Sequence, residues 1–331
     1  MRPVDRAAIE RAAGILARGG LVAFPTETVY GLGADADNEA AVRAIFAAKG
    51  RPADHPVIVH VLDAVALDAW AREVPASARR LAATFWPGPL TLVLKRSPRA
   101  KDVVTGGEDT VGLRSPAHPW ARALLEAFAG ADRTKAIVAP SANRFGRISP
   151  TTAEHVRADL GEKPAGKVDL ILDGGACPVG IESTIVDLSA GEPRLLRPGA
   201  VTRDRLEAAL GVPVRDAQGD APRAPGRVET HYAPRTQLEL VDPGQLAARI
   251  NALRGHKLAV LAPAQALLDR TRDVVLRLIA PQQPDEYARR LYALLHELDA
   301  AGAERILVVR PPSGAAWEAV HDRLRRAASA G

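Results

Sequence analysis

The chain has 331 residues, more than one compact core usually takes, so two domains are expected. Its 47% hydrophobic and 25% charged content is that of a soluble globular protein. A single cysteine, Cys177, excludes an intrachain disulfide and a cysteine-rich zinc site, and no apolar stretch nears membrane-spanning length or resembles a signal peptide, which together point to a reducing cytoplasm.

Asp5 is placed to cap a first helix with Ile9, Ala12, Ala13 and Leu16 on one face, stopped by Gly19-Gly20. An apolar strand over 21–24 ends at Pro25, and a glycine-rich turn, Gly31-Leu32-Gly33, follows. Asn38 starts a second helix through Ala48 with Val42, Ile45 and Phe46 turned inward. Short strands are expected at 57–61, 90–94, 110–113, 137–139, 170–172 and 184–188, with helices between several of them, including 76–85 and 120–129. The irregular spacing predicts a mixed α/β or α+β sheet. Over 212–235 the pattern dissolves around four prolines, which reads as a linker or a lid. Beyond it, strands at 238–241, 258–261, 274–279 and 306–309 alternate with helices at 244–253, 285–300 and 315–328. That rhythm predicts a small Rossmann-like α/β domain, without the G-x-G-x-x-G turn of a dinucleotide site.

The net charge of +5 gives little support to nucleic-acid binding, because it comes mostly from arginine scattered along the chain, without a basic run. A nucleotide enzyme needs cations and N–H donors aimed at phosphate oxygens. No P-loop is present; in "GGACPVGIEST" Ile181 stands where the lysine would be. A phosphate site would have to be assembled from separated pieces. Lys49-Gly50-Arg51 ends a helix, where the dipole favours cations. Thr26, Glu27, Thr28 and Tyr30 follow a strand end, and Ser141 and Asn143 follow Ala139-Pro140. Arg114 closes "TVGLR" as a bidentate partner for a carboxylate, while Ser183 opens a further strand and Arg197 lies before Pro198-Gly199. Each has a plainer reading alone: a solvated C-cap, a turn, a surface ion pair. His60 reads as a structural strand histidine, and no H-x-x-x-H or H-x-H pair suggests a protein-built metal centre.

The motifs "PTETVYGLG", "KGRP", "SAN" followed by "SPT", "ESTIVD" and "RPGA", in this order, resemble the YrdC/Sua5 family of threonylcarbamoyl-AMP synthases. The resemblance implies a twisted mixed-sheet YrdC-like catalytic domain at 1–211, a linker or lid at 212–235 and a smaller Sua5 domain at 236–331. The linker element "APG…HYAP" points to the two-domain type. By the same resemblance Lys49, Arg51, His55, Thr110, Ser141, Asn143, Ser149, Arg197 and Tyr232 fall at nucleotide-binding positions. His55 stands where many relatives have asparagine, and its imidazole keeps a donor for phosphate. Thr28, His60, Arg114, Ala139 (through its backbone) and Ser183 fall at threonine-binding positions, and Lys49 and Arg51 are the implied catalytic cations. The implied reaction joins L-threonine, bicarbonate or CO2, and ATP with Mg2+, giving threonylcarbamoyl-AMP and pyrophosphate for tRNA modification. Downstream threonylcarbamoyl-transferase proteins would be the partners, with room for a weak tRNA contact. The rival expectation is a non-catalytic module for double-stranded RNA or tRNA.

Overall fold

The computed structural model describes residues 2–219, 221–223, 232–267 and 272–329. The chain divides into two compact units, one of Met1–Phe145 with Pro150–Arg227, the other of Gly146–Ser149 with Val228–Gly331.

In the first unit one mixed sheet takes in ten strands. They are β1 (Val22–Pro25), β2 (Tyr30–Asp35), β3 (Val59–His60), β4 (Leu90–Lys95), β5 (Thr110–Arg114), β6 (Ile137–Val138), β7 (Leu170–Ile171), β8 (Thr184–Asp187), β9 (Arg194–Arg197) and β10 (Arg215–Asp216). Their spatial order is β10-β9-β8-β4-β5-β3-β6-β2-β1-β7. The sequence around β1 explains why both faces are covered. Leu21 and Ala23 join one apolar cluster with Leu32, Val42, Ile45 and Val59. Val22 and Phe24 join another with Ile9, Leu16, Trp120 and Ile137. A strand's period of two sends alternate residues to opposite faces, so a doubly covered strand is apolar at every position.

Both predicted helix starts are true caps. The Asp5 carboxylate accepts from the Ala8 N–H at the head of Arg6–Ala17, and the Asn38 side chain accepts from the Ala41 N–H at the head of Glu39–Lys49. Gly50 ends the second helix in the left-handed region, φ 61°, where a side chain would be strained.

The predicted turn at 31–33 is instead the middle of β2, which pairs antiparallel with β1 and β6. Its glycines serve packing. A Cβ on Gly33 would sit 2.8 Å from the Phe24 ring, and one on Gly31 would sit 3.1 Å from the Ala139 Cβ. Sequence reading also passed over β9 and β10. The latter lies within the expected linker yet pairs in parallel with β9. Positions 220 and 224–231 of that linker lie outside the described residues, and with them that part of the lid expectation.

The second unit carries a parallel sheet of β11 (Gln237–Val241), β12 (Leu258–Ala262), β13 (Val274–Ile279) and β14 (Arg305–Val309), ordered β11-β14-β12-β13. Helices Leu246–Ala252, Pro284–Asp299 and Glu318–Ala328 complete it, so the predicted Rossmann-like alternation is present. β12 is buried at all five positions, as a central parallel strand requires. Among the described residues no helix is long and apolar enough to cross a membrane.

Candidate active site

Backbone pairing draws three of the sequence motifs together. Gly31 bridges Ser141, the Leu32 N–H donates to the Pro140 carbonyl at 2.7 Å, and the Ala142 N–H donates to the Tyr30 carbonyl at 2.8 Å. The start of β2 and the S-A-N segment are therefore one layer. Lys49 joins them at the end of its helix. Its ammonium donates to the carbonyls of both Ser141 and Asn143, and the Phe145 N–H returns a bond to the Lys49 carbonyl at 2.9 Å. Lys49 is only 3% exposed. Burial first, then the neighbouring Arg51 charge, holds its pKa well below the ordinary lysine value, against a smaller pull from Asp159.

Arg51 donates to the Pro56 carbonyl at 2.7 Å and lies 6.0 Å from the centre of the Phe145 ring. His55 meets the same ring edge-on at 5.3 Å. Partial burial and the Arg51 charge lower the His55 pKa, which favours its neutral form. The Asn143 amide donates to the Arg144 carbonyl, and its side chain is buried. Lys49, Arg51, His55, Ser141 and Asn143 thus form one continuous patch around Phe145, a residue that sequence reading left out.

A second cluster forms where β3 and β5 lie side by side, with His60 opposite Arg114. Arg114 donates through Nη1 to the Thr28 hydroxyl at 2.9 Å and through Nε to the Gly88 carbonyl at 3.3 Å. Its Nη2 lies 2.6 Å from Glu27 Oε1, with side-chain exposures of 5% and 7%. The chain itself thus supplies a carboxylate to Arg114, in a buried ion pair and not the surface pair of the plainer reading. The Thr26 hydroxyl donates to the Val29 carbonyl at 2.7 Å and stands 2.8 Å from the Thr28 hydroxyl. A hydroxyl carries one proton, so in that pair Thr28 donates and Thr26 accepts. Thr28 is left with acceptor capacity only.

His60 is buried against the Phe24 ring, and its Nδ1 lies 3.3 Å from the Ile58 carbonyl. Burial, then the Arg114 charge, pushes its pKa down to about 3, so it is neutral at physiological pH. The Ala139 N–H donates to the same Ile58 carbonyl at 3.1 Å, which ties the strand ends of β3 and β6. Cys177 is buried and its thiol is pushed up by burial, then by Glu27, as in an inert core cysteine.

Ser183 stands just before β8. Its hydroxyl lies 2.7 Å from the Thr91 hydroxyl and receives a bond from Arg197 Nη2 at 3.2 Å. Arg197 also grips the Ser183 carbonyl through Nε and Nη2, at 3.1 and 2.9 Å. Sequence reading missed Thr91. The available signal was a hydroxyl at a fully buried position in the apolar strand β4. Thr110, half-buried at the far end of β5, is four residues from Arg114, or ~13 Å along a strand.

Ser149 and Tyr232 belong to the second unit. The Ser149 carbonyl faces His296 Nε2 at 3.2 Å. Tyr232 is fully buried at φ 66°, with its ring 5.5 Å from that of Tyr292 and 5.3 Å from the Arg323 guanidinium.

Two family models match the chain. The Sua5–YciO–YrdC model, described as "Telomere recombination", covers 14–199, and the model of the threonylcarbamoyl-AMP synthase C-terminal domain covers 201–329. A threonylcarbamoyl-AMP synthase of Pyrococcus abyssi is 40% identical over 96% of this chain and 93% of its own length. One from Bacillus subtilis is 38% identical over 97% and 92%. The crystal structure of P. abyssi Sua5 complexed with L-threonine superposes with a TM-score of 0.88 at 38% identity, covering 99% of this chain and 96% of that one. From the first motif to the last helix, the chain belongs to the YrdC/Sua5 family.

Proposed function

We propose that the protein makes threonylcarbamoyl-AMP from L-threonine, bicarbonate or CO2, and ATP, with release of pyrophosphate, for threonylcarbamoylation of tRNA adenosine. The observation that carries this reading is the joining of Lys49 to the S-A-N segment, in a chain matched almost end to end by relatives named threonylcarbamoyl-AMP synthase.

The Lys49, Arg51, His55, Ser141 and Asn143 patch takes the nucleotide, and the family resemblance assigns Arg197 and Thr110 to the same ligand. Ser149 and Tyr232 are assigned to nucleotide binding by the family resemblance alone. Incoming phosphates favour the charged form of Lys49 and oppose the burial that depresses it. Arg114 takes the carboxylate of threonine, and Thr28, His60, Ser183 and the Ala139 backbone contact its polar groups. Magnesium enters with ATP, as part of that substrate.

The threonine amine bonds to the carbon of CO2 and loses a proton to solvent, giving a carbamate. A carbamate oxygen then bonds to the α-phosphorus while the bond to the β-phosphate oxygen breaks, and pyrophosphate carries off the electron pair. Positioning and charge neutralisation account for the rate, without a covalent enzyme intermediate. The product passes to downstream threonylcarbamoyl-transferase proteins in the cytoplasm.

Pyrophosphate release from MgATP, with threonine and bicarbonate omitted in turn, tests the reading. Release that needs both is expected. Salt-sensitive RNA binding with no release under any condition would favour the non-catalytic alternative.

A further inference from the structure

Glu27 has no part in the roles above, yet its carboxylate is the one that meets Arg114. The contact has an unusual form. Arg114 Nη2 and Glu27 Oε1 are 2.6 Å apart, but neither atom has a hydrogen bond of acceptable alignment among the described residues. Both are buried, where an unmet donor or acceptor is costly.

Glu27 is also the fixed member of the pair. Its other oxygen, Oε2, accepts from the Ala117 N–H at 3.0 Å, and its backbone carbonyl accepts from the Val179 N–H at 2.8 Å. Arg114 is held on two more sides, by Thr28 at Nη1 and by Gly88 at Nε. The neighbouring groups thus fix the plane of the guanidinium, with Nη2 turned to the Glu27 carboxylate. A guanidinium recognises a carboxylate through its fork, so its orientation matters as much as its charge.

We propose that Glu27 is a positioning residue for amino-acid recognition. Anchored by Ala117 and Val179, it holds Arg114 in place by charge, so that the guanidinium is already oriented when the substrate carboxylate arrives. The proposal rests on the reading that Arg114 receives the carboxylate of threonine.

The test uses the full chain with Glu27→Gln, Glu27→Asp and Arg114→Lys. Threonine KM, ATP KM and kcat are read from pyrophosphate release, and threonine binding without ATP is read by calorimetry. Expected for Glu27→Gln is a rise in threonine KM of about tenfold or more, the scale of a lost charge-assisted hydrogen bond. Its ATP KM and kcat should stay within about twofold of wild type. Glu27→Asp, which keeps the charge, should fall between Glu27→Gln and wild type, and calorimetry should give the same ranking.

Unchanged or tighter threonine binding in Glu27→Gln, with Arg114→Lys impaired, overturns the role of Glu27 alone. Equal losses in kcat and both KM values, with a lowered melting temperature in Glu27→Gln and Glu27→Asp alike, would make Glu27 plain scaffold. Unchanged threonine binding in Arg114→Lys overturns the carboxylate reading itself and the proposal with it.

Discussion

Two buried cations in the first unit are held in opposite ways. Arg114 sits against a carboxylate, whereas Lys49 sits against the neutral carbonyls of Ser141 and Asn143. An arginine cannot shed its proton inside a protein, so burying it calls for a counter-charge. A lysine can shed its proton, and burial has already moved Lys49 in that direction. The charge at the Arg114 end is therefore permanent and balanced before any ligand arrives. The charge at the Lys49 end faces only neutral carbonyls there, so an anionic ligand would serve as its counter-charge, which suits a polyphosphate.

The contrast is open to direct attack, beginning where the effect is largest. Arg114→Met leaves the Glu27 carboxylate buried without its partner, and stability should fall by about 3–5 kcal/mol in chemical denaturation. Replacing both residues by apolar ones should recover most of that loss. Lys49→Met strands no opposite charge, and its stability cost should be less than half as large. Equal costs at the two sites would erase the distinction.

Next in size is the acid response of His60. Its folded pKa of about 3 lies below the ordinary 6.5, so between these values the unfolded chain binds a proton that the folded chain does not. Stability should fall as pH drops through that window, by at most about 5 kcal/mol from this residue, at ~1.4 kcal/mol per pH unit. His60→Gln should flatten the dependence, as read from denaturation midpoints across pH; an unaltered slope would count against a buried neutral imidazole beside Arg114. Lys49→Ala should lower kcat by about 10²–10³ while circular dichroism stays native. Near-normal turnover would remove Lys49 from the mechanism. The smallest effect is expected from Thr91→Val, which takes one partner from the Ser183 hydroxyl and should raise threonine KM severalfold, an energy of about 1 kcal/mol.

Local chemistry announced itself in the sequence; long-range pairing did not. Asp5 and Asn38 cap helices through contacts three residues away, and both starts were legible. The apolar strands and the alternation of the second unit were legible for the same reason. β2 was misread because glycines usually mark turns, and only Phe24 and Ala139, brought in from other strands, explain why this strand needs them. β9 and β10 fell below notice, being charged and short at one end of the sheet.

The site divides along the same line. Lys49, Arg51, Ser141 and Asn143 were found by motif, and the sheet brings them together. Arg114 was expected to meet a carboxylate, but that Glu27 would supply one could not be read across so many intervening residues. Thr91 and Phe145 likewise gain meaning only from neighbours distant in sequence.

The most direct test of the central claim follows the carbon. The purified full chain is supplied with MgATP, L-threonine and 13C-bicarbonate, and the adenylate product is weighed by mass spectrometry. The account predicts a threonylcarbamoyl-AMP that carries the label and is lost when threonine is withheld. An adenylate that forms without the label, or without threonine, would contradict it.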